Sequence, residues 1–186
     1  MITSLKNYLV KGIALPVSLA TMLFTAAPAY ASDVSCHVWD SDGDNQADIE
    51  TCFFDHDGDG RADSIRDRVF DDKERVTMER WDYNKMDWRR DFVYDNKGNL
   101  VKKVTDLGAD GNIEEIIEYG YDADGKMTSR EHDLGGNGTI DWYELFVYDN
   151  EGNLVTEAYD FDGDSCIDMA FRHLNNGKVL FVPREI

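Results

Sequence analysis

Residues 133–154 read DLGGNGTIDWYELFVYDNEGNL, and these 22 positions contain the plan of the whole chain. They open on a nine-residue acid and glycine turn from Asp133 to Asp141. Ile140, Trp142, Glu144, Phe146 and Tyr148 then fall on alternate positions, with a more polar set between them. Period two with aromatic and β-branched enrichment predicts an extended strand. Tyr148-Asp-Asn-Glu-Gly-Asn follows, and its Gly and Asn tolerate the positive φ of a tight turn. A weaker strand runs from Leu154 to Tyr159 before the next acidic loop at Asp160. The unit is therefore loop, strand, turn, strand.

The unit recurs. Tyr94, Tyr121 and Tyr148 each open a Tyr-Asp turn and stand 27 residues apart, as do the loop openers Asp106, Asp133 and Asp160. The strand faces repeat as Met86, Trp88, Arg90, Phe92, Tyr94 and as Ile113, Glu115, Ile117, Tyr119, Tyr121. Asp55 stands 27 residues before Asp82, whose own loop has shrunk to DYNKMD. An extra acidic loop opens at Asp40. Arg66 and Arg68 occupy expected inner positions, so the unit after Asp55 fits least well. A fixed period of this kind marks a repeat architecture. The expectation is an all-β antiparallel meander of about ten short strands, curled or barrel-like, with every acidic loop on one edge and every Tyr-Asp turn on the other.

Residues 1–31 read as a cleaved secretory signal: Lys6 and Lys11 precede an apolar run from Gly12 to Ala27, and Ala29-Tyr30-Ala31 is a cleavage signature. Residues 32–186 are then one domain, exported to the periplasm or the cell exterior. The leader holds two of the 19 basic residues and none of the 38 acids, which leaves the rest at 17 minus 38, or −21. Such a charge disfavours nucleic acid and anionic membrane surfaces as partners and favours cations. No transmembrane segment follows the leader. Strands near seven residues, with Arg89, Arg90, Lys102 and Lys103 interrupting both faces, also argue against a transmembrane barrel.

The loops carry the chemistry. Asp55-His-Asp-Gly-Asp-Gly-Arg-Ala-Asp63 places carboxylates at positions 1, 3, 5 and 9 with glycines at 4 and 6. Like charges at this spacing repel, and a bound cation would relieve them. Calcium takes six to eight oxygen ligands, and such a loop supplies them. The predicted ligands are Asp40, Asp42, Asp44 and Asp48; Asp55, Asp57, Asp59 and Asp63; and Asp160, Asp162, Asp164 and Asp168. Two weaker sets are Asp106, Asp110 and Glu114, and Asp133, Asn137 and Asp141, where Gly108 and Gly135 replace the acid at position 3. Magnesium demands stricter geometry, and zinc prefers His and Cys clusters that these loops lack. The alternative is solvated, Asx-rich turns with no ion.

The loops resemble EF-hand-like aspartate loops, as in dockerins and thrombospondin type 3 repeats. The resemblance extends to an apolar position 8, which is Ala47, Ala62, Ile113, Ile140 or Ile167. It implies calcium coordination. It departs at position 12, where the family has a bidentate Glu and this chain has Thr51, Arg66, Ile117, Glu144 and Phe171. The Tyr-Asp-x-x-Gly-Asn-Leu turns resemble the YD repeats of bacterial RHS-type secreted proteins, which implies β-hairpin repeats in an extracellular protein.

Cys36 and Cys52 lie eight residues either side of Asp44, so a hairpin would oppose them in a disulfide. Cys166 is left over inside the last loop. No nucleophile elbow, P-loop or metalloprotease helix motif occurs, and no catalytic residue is assigned. The expectation is a structural or interaction module rather than an enzyme. The rivals are a calcium-dependent adhesin with a protein or carbohydrate ligand and, behind it, a hydrolase with a carboxylate site. Exposed aromatics near the loops would favour the first, and a cleft with a carboxyl of raised pKa the second.

Overall fold

The computed structural model describes residues 33–183 apart from 84, 85 and 175. The segment read as a secretory signal lies outside the described residues. Twelve strands follow in chain order: β1 (Asp33–Trp39), β2 (Ile49–Asp55), β3 (Ser64–Phe70), β4 (Val76–Tyr83), β5 (Trp88–Tyr94), β6 (Leu100–Leu107), β7 (Glu115–Tyr121), β8 (Met127–Leu134), β9 (Trp142–Tyr148), β10 (Leu154–Asp160), β11 (Met169–His173) and β12 (Val179–Pro183). Each pairs antiparallel with its sequence neighbours alone, in one meander sheet. Among the described residues no pairing joins β1 to β12, so the sheet is open rather than a closed barrel. Two strands more than expected are present. The hairpin β11–β12 turns at Gly177 (φ 77) and lacks the Tyr-Asp signature of the repeats.

The Tyr-Asp turns are built alike. Asp95, Asp122 and Asp149 each accept backbone N–H groups from two and four residues ahead, at 2.8–2.9 Å. The glycine three residues on has positive φ (98°, 82° and 85°), which a side chain would strain. The register shifts by one residue beside each turn, and these bulges increase local twist. The Tyr94 hydroxyl donates to Val76 and that of Tyr121 to Leu100, at 3.0 and 2.8 Å, which ties each turn to the preceding hairpin.

One topological expectation is corrected. The loops at Asp55, Asp106, Asp133 and Asp160 lie on one sheet edge, but the loop at Asp40 lies on the other, among the Tyr-Asp turns. Its closing Asp48 carbonyl accepts the N–H of Phe70, at the turn end of β3, at 2.9 Å. The cause is parity. One strand, β2, separates the Asp40 and Asp55 loops, whereas two strands separate every later pair.

The apolar interior is thin. Cys52, Ile117 and Ala158 are the buried apolar residues of the described chain. The inner face is instead half-buried, with aromatic rings between cross-strand ion pairs. Arg66 meets Glu50 at 2.8 Å, Arg68 meets Glu79 at 2.9 Å and Arg130 meets Glu144 at 2.7 Å. The Arg66 and Arg68 that broke the inner pattern are thus paired across strands. The Cys36–Cys52 disulfide joins directly opposed residues of β1 and β2.

Candidate metal-binding loops

All five acidic loops share one frame. The strand before each loop ends on or next to its position-1 aspartate, and the position-9 N–H donates back to the carbonyl preceding that aspartate. These closing bonds run from Asp48 to Trp39, Asp63 to Phe54, Glu114 to Thr105, Asp141 to His132 and Asp168 to Tyr159, at 2.8–3.0 Å. The position-9 carboxylate in turn accepts the position-2 N–H. His56 donates to Asp63 at 2.6 Å, Leu134 to Asp141 at 2.6 Å and Phe161 to Asp168 at 2.8 Å. Ser41 donates to Asp48 and Leu107 to Glu114 in the same way.

At the centre sits the position-1 carboxylate. Asp55, Asp106, Asp133 and Asp160 are all buried, Asp160 to 2% exposure, and backbone N–H groups solvate them. In the three loops opening D-x-D, the donors are the N–H groups three and five residues ahead. Asp40 takes Gly43 and Asn45 at 2.6 and 2.9 Å. Asp55 takes Gly58 and Gly60 at 2.7 and 2.8 Å, and Asp160 takes Gly163 and Ser165 at 2.8 and 2.7 Å. These loops bring three carboxylates together: Asp40, Asp42 and Asp48; Asp55, Asp57 and Asp63; Asp160, Asp162 and Asp168. Within each group the ligand atoms lie within 4.8 Å of one another. Such a group fits a hard cation that takes oxygen ligands. The position-5 acids Asp44, Asp59 and Asp164 stand outside these groups and cap the next turn, accepting N–H bonds from Gln46, Arg61 and Cys166 at 2.7–2.8 Å.

The two D-L-G loops differ in backbone as well as in charge. Asp106 accepts from Asp110 and Gly111, and Asp133 from Asn137 and Gly138, so their donors stand four and five residues ahead. Positive φ falls at positions 3, 4 and 6, namely Gly108, Ala109, Gly111 and Gly135, Gly136, Gly138. In the D-x-D loops it falls only at positions 4 and 6. The position-3 N–H reaches across instead to the carbonyl that ends the neighbouring loop, from Gly108 to Asp87 and from Gly135 to Glu114, at 2.6 and 2.7 Å. Asp106, Asp110 and Glu114 form no group of three close carboxylates among the described residues, and the Asp133 set supplies only two carboxylates, Asp133 and Asp141, because Asn137 is an amide. Glu144, the one acid at position 12, lies on β9 and turns to Arg130.

Proton affinities follow the same bonds. The backbone N–H of Gly60, opposed by burial, holds the Asp55 carboxyl below its usual range. Bonds from Ser41 lower Asp48, and the Asn112 backbone lowers Asp110. Burial would raise Asp160, but bonds from Ser165, Asp162 and Gly163 outweigh it and leave it lowered. These carboxylates are ionised at neutral pH, as a cation site requires.

Beside the Asp55 loop lies a cleft of about 460 Å³ lined by His56, Ser64, Trp81, Tyr83, Met86 and Trp88. The His56 Nε2 sits 3.1 Å from the Ser64 hydroxyl, and Trp81 packs tilted on Trp88 with centroids 6.2 Å apart. Trp81 and Trp88 are both half-buried. Tyr83 and Met86 of the shrunken loop stand in the lining of this cleft. Asp82, raised by burial and by its neighbour Asp87, is not among the residues lining it.

No protein-family model matches the chain, and no curated protein matches it. Among solved structures, one similar chain is that titled "Crystal Structure of TcdB2-TccC3-TEV". The identity is 10% and the TM-score 0.26, over 81% of this chain and 12% of that one. A likeness that low carries no argument about fold or function.

Proposed function

We propose that the chain is an exported calcium-binding β-repeat protein in which calcium holds the aspartate loops closed, a structural or interaction module rather than an enzyme. The convergence of three carboxylates in each of the loops at Asp40, Asp55 and Asp160 carries the reading. The donors are all hard oxygens, which suit calcium better than zinc. The ion would offset their mutual repulsion and so fix the turns that set strand register. With so few buried apolar residues, loop closure matters more to this sheet than to a packed domain. The Cys36–Cys52 disulfide supports export, since such bonds persist in oxidising compartments.

The test is thermal. Melting in EDTA, in calcium and in magnesium should show a calcium-specific rise on the order of 20 °C when three sites are near saturation. No shift across millimolar calcium would sink the proposal. A second reading, a carbohydrate-binding adhesin, is favoured by the aromatic cleft around Trp81 and Trp88. Quenching of tryptophan fluorescence by a glycan panel would support it.

A further inference from the structure

The loop edge carries a row of exposed apolar side chains that calcium coordination does not use. Tyr83 is 38% exposed, Met86 67%, Leu107 54%, Leu134 48% and Phe161 53%. Tyr83, Leu107, Leu134 and Phe161 all occupy position 2 of their loops. In the last three the backbone is fixed identically, by the N–H bond to Glu114, Asp141 or Asp168. They also share a face. Leu107 stands opposite Trp88, Leu134 opposite Glu115 and Tyr83 opposite Ser64, and directly paired residues point to the same side. Successive tips sit two strands apart, about 10 Å along the sheet. The row runs from beside the acid-rich loop at Asp55 into the acid-rich loop at Asp160, and the less acidic loops lie between them.

We infer that this edge docks on a lipid surface when calcium is bound, the position-2 side chains entering the interface while loop calcium meets headgroup phosphates. The inference rests on the calcium reading above. Three observations select lipid over protein. The row is one residue wide and offers on the order of 500 Å², short of the roughly 800 Å² per partner of a stable protein interface. Its central tips, Leu107 and Leu134, are aliphatic, which suits acyl chains rather than sugar rings. Position 12 supplies no Glu in the flanking loops, where Arg66 and Phe171 stand, so a bound calcium keeps coordination open to an outside oxygen. Without calcium the acidic edge repels an anionic surface, which makes docking conditional.

The experiment is vesicle co-sedimentation of the full chain with phosphatidylcholine–phosphatidylglycerol vesicles, in EDTA and in about 1 mM calcium. Calcium binding is measured separately by titration calorimetry without vesicles. Calcium-dependent pelleting that EDTA reverses is expected. The variant Leu107→Ser, Leu134→Ser, Phe161→Ser should lose roughly tenfold in partitioning while keeping its calcium stoichiometry. Calcium binding in solution without pelleting overturns the lipid inference and spares the calcium reading, whereas no calcium binding removes both. Pelleting that survives in EDTA or in the triple variant also overturns it. A calcium-dependent dimer lost in the triple variant overturns it in favour of a second copy of the chain.

Discussion

The D-x-D loops and the D-L-G loops have the same length, the same closing hydrogen bond and the same position-1 aspartate, yet only the first kind gathers carboxylates. The difference lies in the backbone. Two successive left-handed residues at positions 3 and 4 turn the D-L-G chain toward the neighbouring loop, and a carboxylate there would be strained. One loop class is turned inward, and brings three carboxylates together. The other is turned sideways, as a link that joins successive repeats.

The largest expected contrast comes from the position-1 aspartates. Asp160→Ala and Asp133→Ala both strip backbone N–H groups of a buried acceptor. In EDTA each should lower the melting temperature, by roughly 5 °C or more. Only Asp160→Ala should reduce the calcium stoichiometry, by one ion. Loss of an ion in both variants would erase the distinction between the classes.

Glycine substitutions probe the linkage between loops. A Cβ added at Gly163 would stand 2.0 Å from the carbonyl oxygen of Ile140 in the neighbouring loop, at a φ of +68°. A Cβ at Gly135 meets nothing within 4 Å, although its φ is +84°. Gly163→Ala should therefore cost about 3 kcal/mol and Gly135→Ala about 1 kcal/mol in urea unfolding. Equal costs would mean that the Asp160 loop does not lean on its neighbour.

Much of this was legible in the sequence, because period-two faces and a fixed repeat are properties of the local chain. The disulfide was legible for the same reason: Cys36 and Cys52 are symmetric about Asp44, and a hairpin opposes them. The edge assignment failed at Asp40 because parity, rather than composition, decides which end of a meander a loop occupies. The partners of Arg66 and Arg68 were illegible because Glu50 and Glu79 reach them only through strand register, 16 and 11 residues away. Gly108 and Gly135 were read as lost ligands. Nothing in the local pattern signals that they also mark a different path of the backbone.

That last point yields the smallest and sharpest test. If charge count alone separated the loop classes, Gly135→Asp would restore D-x-D chemistry and add a calcium ion. The geometry says otherwise. Position 3 of this loop sits at φ +84°, and its N–H is engaged by the Glu114 carbonyl at 2.7 Å. An aspartate there would leave the donors to Asp133 four and five residues ahead rather than three and five. Its carboxylate would start from a backbone direction that the carboxylate-gathering loops do not use. Gly135→Asp should thus lose about 1 kcal/mol and gain no calcium by titration calorimetry. A gained ion would show that the D-L-G backbone can switch to the D-x-D path, and that the two classes are states of one loop.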